Sequence, residues 1–258
     1  MEEIFDTQDE IIETIVATIA GKVEVSETKR VSNARPENLS AYDMVLQGLE
    51  YHRRSNLTRS EAPKALALFE KAIETDPTYA RAYAWKACSL ANCAGWQPEA
   101  YPKDWFDICR ASASRALELD PDDHEANRIM GSISLNLRDF DLARHHHDRA
   151  EELCPSDSYI IGKNAEMRLY LGEPQEGLEK VAWAMRINPF CPDDLLEKDG
   201  KCHFWLDEFE SALASLKKMR TESRDGLFYS AATLKKLGRD DEALEMLHRG
   251  IRVAEISI

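Results

Sequence analysis

Four prolines, Pro77, Pro121, Pro155 and Pro189, stand 44, 34 and 34 residues apart, and each closes a stretch with the apolar spacing of a helix. A proline lacks an amide N–H and its ring clashes with the preceding turn, so a proline at a fixed interval ends a helix at that interval. The residues before each proline repeat as well. Twelve positions earlier come Ala65, Cys109, Ala143 and Gly177, and five earlier come Ala72, Ala116, Ala150 and Ala184. Two further units lack the proline and are anchored on Ala212 and Ala243, at spacings of 35 and 31. Mid-way along the leading helix of each unit lies Gly48, Gly131 or Gly200, or in alternate units Ala87, Ala165 or Ala231. Glycine inside a helix costs ~1 kcal/mol relative to alanine, so its use there predicts a crossing that a larger side chain would block.

A repeating helix-turn-helix unit of about 34 residues, with small residues at these places, an aromatic such as Phe69, Phe140 or Phe209 and a closing Asp-Pro or Asn-Pro, resembles the tetratricopeptide repeat. The resemblance covers residues 39–253. It implies an all-α fold: a right-handed superhelix of helix-turn-helix units with a concave groove, each pair too small to bury its apolar face alone. The approximate units are 40–79, 80–123, 124–157, 158–191, 192–223 and 224–258. The first carries extra residues between Tyr51 and Ala65, and the second carries the insertion NCAGWQPEAYPKDWFD between Leu90 and Cys109. Both are expected to lengthen helix-helix connections.

The apolar positions Ile4, Phe5, Ile11, Ile12, Ile15, Val16 and Ile19 predict an amphipathic helix over 1–22 that stops at Gly21. Polar residues 23–39 read as a linker, and Ser40-x-x-Asp43 as the cap of the first repeat helix. The segment IFDTQDEIIETIVATI is similar to one that in many bacterial multidomain proteins lies between a small α/β domain and a tetratricopeptide array. AYDMVLQGLEYHRR and ALALFEKAIETDPTYARAYAWKA are likewise similar to repeats beside class III adenylate and guanylate cyclases and in winged-helix activators. That resemblance implies a regulatory carboxyl-terminal region whose catalytic or DNA-binding part is not in this chain. At the other end Leu247, Ile251, Val253, Ile256 and Ile258 predict an exposed apolar edge, suited to self-association as a homo-oligomer or to service as an oligomerisation spacer.

Composition narrows the function classes. A net charge of -14 and a pI near 5.0 argue against nucleic acid, whose phosphates require clustered Lys and Arg. No run is long and apolar enough for a membrane span, no signal peptide opens the chain, and a cytoplasmic location is expected. The six cysteines show no Cys-x-x-Cys pairs and read mainly as small core residues without disulfides.

Catalytic constellations are absent from the pattern: no Gly-rich phosphate loop, nucleophile elbow or zinc helix occurs, and no strand could present the paired aspartates a cyclase needs. Neither a cofactor nor a metal is expected. His145, His146 and His147 point about 100° apart on a helix and cannot converge on one ion, and His147 falls at the inward position held by Phe69. Acidic clusters at 120–125 and 173–176 read as helix caps, and Trp85, Trp105, Trp183 and Trp205 as core fillers. By register the inner face of the leading helices collects Arg128, Ser132 and Asn136, then Glu166 and Tyr170, then Lys201 and Trp205. A mixed, aromatic-lined groove suits a peptide or protein partner, so the expected function is a non-enzymatic interaction scaffold. The places where chaperone-binding arrays carry Lys and Asn hold Ala84, Cys88, Arg128, Ser132, Gly162 and Glu166, which does not make a carboxylate clamp.

Overall fold

The computed structural model describes residues 40–55, 60–188 and 190–256. The helix expected over 1–22, the linker over 23–39, the helix-closing Pro189 and the apolar Ile258 lie outside them. Among the described residues there are twelve α-helices, one short 3-10 turn and no strand. The contacts divide the chain between Pro155 and Ser156 into two units. The first holds α1 (Ala41–Ser55), α2 (Glu61–Thr75), α3 (Ala80–Trp96), α4 (Trp105–Leu119), α5 (His124–Asn136) and α6 (Phe140–Leu153). The second holds α7 (Ser158–Tyr170), α8 (Pro174–Ile187), α9 (Asp193–Trp205), α10 (Phe209–Leu216), α11 (Arg224–Lys236) and α12 (Asp240–Ile256). Within each unit successive helices pair as hairpins, and the leading helices α1, α3 and α5, or α7, α9 and α11, also lie in contact.

Local chemistry starts and stops these helices. Ser40 accepts the Asp43 amide at 3.2 Å, Asp123 the Ala126 amide at 2.8 Å and Ser223 the Gly226 amide at 2.9 Å, each satisfying an orphan donor of a first turn. At the stops, the amides of Asp76, Asp120, Cys154 and Asn188 bond the carbonyls of Ala72, Ala116, Ala150 and Ala184. Those four alanines are each 0% exposed, so a side chain any larger would push the hairpin open.

Four hairpins turn through one left-handed residue each: Arg138, Gly172, Asp207 and Gly238, with φ of 60°, 79°, 59° and 73°. The residue after each donates its amide back to Ser134, Arg168, His203 or Leu234 at 2.9 to 3.0 Å, which closes the helix end in a Schellman turn. The hairpin that carries the second insertion is built differently. Part of the second insertion extends α3 to Trp96, and residues 97–104 follow with the 3-10 turn Pro98–Ala100. Tyr101, Trp105 and Phe106 from this stretch pack on the core formed by Leu66, Leu90, Cys109 and Ile129.

The mid-helix glycines answer to specific rings and branches on the trailing helix. A Cβ on Gly48 would stand 2.6 Å from Phe69 Cε1, one on Gly131 2.6 Å from His147 Cδ2, and one on Gly200 2.6 Å from Leu216 Cγ. Where the leading residue is Ala87 or Ala165, the same trailing position holds the smaller Ala113 or Val181. In the sixth unit, where the leading residue is Ala231, Leu247 holds that register position and is 39% exposed. Leading and trailing positions thus share one volume. Phe140 and Phe209 do not fill it. They are the first residues of α6 and α10, just after the hairpin turn, and Phe140 is 47% exposed. The expectation that all four tryptophans fill the core also needs correcting: Trp85 is buried, Trp105 and Trp183 partly so, but Trp205 ends α9 at 59% exposure. No described helix is long and apolar enough to cross a membrane.

Candidate interaction surface

In the 156–256 unit the leading helices bring charged and aromatic side chains together. Lys163 pairs with Glu166 at 2.8 Å on α7. Lys201 on α9 reaches Glu197 at 2.5 Å and, across to α11, Asp225 at 3.2 Å, with its ammonium 5.3 Å from the centre of the Tyr229 ring. Trp205 donates its Nε1 hydrogen to the Tyr229 hydroxyl at 3.1 Å, and Phe204 packs edge-on against that same ring at 5.4 Å. Tyr170, 60% exposed, feels the charges of Glu166, Lys201 and Asp225. Glu166, Tyr170, Lys201 and Trp205 therefore share one face of this unit, joined by Asp225 and Tyr229.

The ion pairs on this face are strong enough to read in a titration. Burial pushes the Glu166 carboxyl up, but Lys163 and Lys198 outweigh it and bring it down to about 2. A carboxyl held below its unfolded value contributes stability that is fully present above the unfolded value, near 4.5, and lost as pH falls toward 2. Between pH 5 and pH 2 the protein is expected to lose roughly 1–3 kcal/mol through this group. Urea midpoints measured across that window should show a shallower fall in Glu166→Gln than in the parent chain.

The other three residues expected on the inner face lie in the 40–155 unit, on α5. Arg128 is only 3% exposed: its Nε donates to Glu125 at 2.6 Å and its guanidinium lies 5.4 Å from the Trp85 ring centre. A planar cation stacks on indole more readily than it stands in solvent with its partner left buried. Ser132 and Asn136 donate to the carbonyls of Arg128 and Ser132 in their own helix, at 3.2 and 2.9 Å. His146 Nδ1 meets Asn127 Oδ1 at 3.0 Å, His147 is 2% exposed over Gly131, and His145 is exposed with its ring edge-on to His146 at 5.0 Å, so the three do not converge on one point. Among the described residues no three His, Cys, Asp or Glu side chains are placed to hold a metal ion.

No family model matches the sequence. Tetratricopeptide repeat protein 37 of Xenopus laevis is 28% identical over 224 residues, which cover 81% of this chain and 13% of that protein. The chain thus spans about an eighth of the length of the curated relative it matches. Among solved structures, a thermophilic TPR protein of Thermus thermophilus superimposes with a TM-score of 0.56 at 12% identity, over 82% of this chain and 99% of that one. This is the tetratricopeptide-repeat fold. A monomeric mutant of IFIT1 with Gppp-AAAA superimposes with a TM-score of 0.69 at 17% identity, over 91% of this chain and 55% of that one.

Within the tetratricopeptide-repeat register, Cys88, Ser132, Glu166 and Lys201 hold one position on four successive leading helices, at spacings of 44, 34 and 35. Tyr229 was within reach of the same arithmetic, since Lys163, Lys198 and Tyr229 follow one another at 35 and 31. Its role beside Trp205 and Lys201 went unread because an isolated Tyr in a helix carries no mark of the cation and indole opposite it. Asp225 was hidden for the same reason. It reads as a first-turn helix acid, and only the stacking of α11 on α9 turns it toward Lys201.

Proposed function

We propose that the chain is a non-enzymatic protein-interaction scaffold that takes an extended or helical peptide of a partner protein on the inner face of its leading helices. The observation that carries this reading is the exposure of Tyr170 and Trp205, 60% and 59%, on adjacent helices beside ion-paired lysines. Tyrosine and tryptophan supply large contact area with few rotatable bonds and dominate the energetics of protein interfaces. Because Trp205 is already bonded to Tyr229 and Lys201 to two carboxylates, little side-chain ordering remains when a partner arrives. The acidic balance of the chain favours a neutral or basic segment with apolar anchors, and sets it against a phosphate-rich ligand such as the Gppp-AAAA found with IFIT1.

A displayed peptide library panned against the protein, with affinities then measured by calorimetry, tests this. Trp205→Ala is expected to weaken a selected peptide by tenfold or more, as hot-spot aromatics do, and Tyr170→Ala by a smaller factor. Unchanged affinity in both would place binding elsewhere, and a library yielding no peptide would remove the scaffold reading. A cytoplasmic setting and a regulatory role beside a bacterial adenylate or guanylate cyclase domain outside this chain extend the same reading. They rest on composition and on the sequence resemblance of the first two repeats.

Self-association is a second reading with its own observation. Leu244, Leu247 and Ile251 are 53%, 39% and 42% exposed and share one face of α12. Light scattering at micromolar concentration should give a mass above 29.4 kDa that falls to the monomer value in Leu247→Glu. A monomeric parent protein would remove this reading and leave the first untouched.

A further inference from the structure

His52 on α1, Cys88 and Ser89 on α3 and Arg128 on α5 converge inside the 40–155 unit. His52 Nε2 lies 3.6 Å from Cys88 Sγ, and His52 Nδ1 lies 2.9 Å from Ser89 Oγ. Ser89 is fully buried, while Cys88 keeps partial exposure on the inner face. With Nδ1–H donated to the Ser89 oxygen, Nε2 is turned to the sulfur, where it can accept the thiol proton and then donate a hydrogen bond back to the thiolate. Trp85 backs the cluster, with its ring 5.0 Å from the imidazole and 5.4 Å from the Arg128 guanidinium.

We propose that Cys88 is a reactive thiolate, a modification site for hydrogen peroxide and similar soft electrophiles, with His52 as its proton acceptor and Arg128 as its second counter-charge. Three helices supply this arrangement, and the groups that face the sulfur are His52 from α1, Arg128 from α5 and Cys109 from α4. Glu125, bonded to Arg128 at 2.6 Å, offsets part of that cation. Cys109 brings no charge, since burial pushes its thiol up to about 12. Burial pushes Cys88 up as well, yet His52 and Arg128 together outweigh it and bring the thiol down to about 7. Thiolates beside His and Arg are the reactive class of cysteine, whereas buried neutral thiols are inert.

In the peroxide reaction the thiolate lone pair attacks one peroxide oxygen, forming the S–O bond as the O–O bond breaks. Sulfur is oxidised by two electrons, the departing hydroxide carries them away, and it takes the proton from His52 Nε2 to leave as water. The product is a neutral sulfenic acid at Cys88.

The test is alkylation of the full chain by iodoacetamide from pH 5.5 to 9.5, read residue by residue by peptide mass mapping, with the partly exposed Cys154 as internal reference. Cys88 is expected to label with a midpoint near 7 and, at neutral pH, roughly tenfold faster than Cys154. His52→Gln should raise the Cys88 midpoint by a unit or more and slow its labelling at pH 7 by roughly tenfold. Peroxide followed by dimedone should place the adduct first on Cys88. A Cys88 midpoint no lower than that of Cys154, an unshifted midpoint in His52→Gln, or no dimedone adduct on Cys88 would each overturn the proposal. If His52→Gln loses its helical circular dichroism, the parent protein's midpoints and dimedone map decide. The outcome is independent of whether a peptide binds the inner face.

Discussion

Phe69→Ala is expected to destabilise the 40–155 unit by ~3–5 kcal/mol, the usual range for a buried phenylalanine. Its ring is 0% exposed, stacks against Trp85 at 6.4 Å and lies over the bare Cα of Gly48. Removing it leaves a void between α1 and α2, against which α3 is packed. The reverse change should also hurt. Gly48→Ala puts a methyl 2.6 Å from the ring, an overpacking worth ~1–3 kcal/mol. The combination Gly48→Ala with Phe69→Val reproduces the pair that α7 and α8 already use, Ala165 with Val181, and should be more stable than the sum of the single changes by ~1 kcal/mol or more. Urea denaturation at constant slope reads all of these, with Phe69→Val alone closing the cycle. Strict additivity would mean that the two positions do not share a volume.

A second large effect is expected at Glu125. Glu125 and Arg128 are 8% and 3% exposed and bonded at 2.6 Å, one helical turn apart on α5. Glu125→Leu leaves a guanidinium buried without its carboxylate and should cost ~3 kcal/mol or more, because the desolvation penalty stays while the attraction is gone. Replacing both, as Glu125→Leu with Arg128→Met, removes the penalty and is expected to come within ~1 kcal/mol of the parent protein. Guanidinium chloride would screen the interaction under study, so urea is the denaturant of choice. A single Glu125→Leu within ~0.5 kcal/mol of the parent would show that the Trp85 ring and Cys88 support the cation without the carboxylate.

Arg128 also shows how a register argument can place a residue correctly and misjudge what it does. Counting along the repeats puts it on the leading helix with Ser132 and Asn136, which is where it is. Yet its charge is turned inward, toward Glu125 and Cys88, its plane lies against Trp85, and its two companions bond their own helix. Trp205 went the opposite way: a large aromatic reads as core, but at the last position of α9 there is no further turn to cover it. The capping residues were more legible, since Ser40 and Asp123 act within three residues of themselves.

The spacing of proline and small residues determined by itself that the chain forms paired helices at an interval of about 34 residues, because helix stops and tight crossings are local consequences of side-chain size and backbone chemistry. Which charges pair between α9 and α11, which aromatic is left in solvent, and the meeting of His52 with Cys88 were decided only in the tertiary structure. A 3.6-residue period assigns each side chain to a face. What stands opposite that face, however, depends on how far one helix slides along the next, and no stretch of sequence within a single helix carries that information.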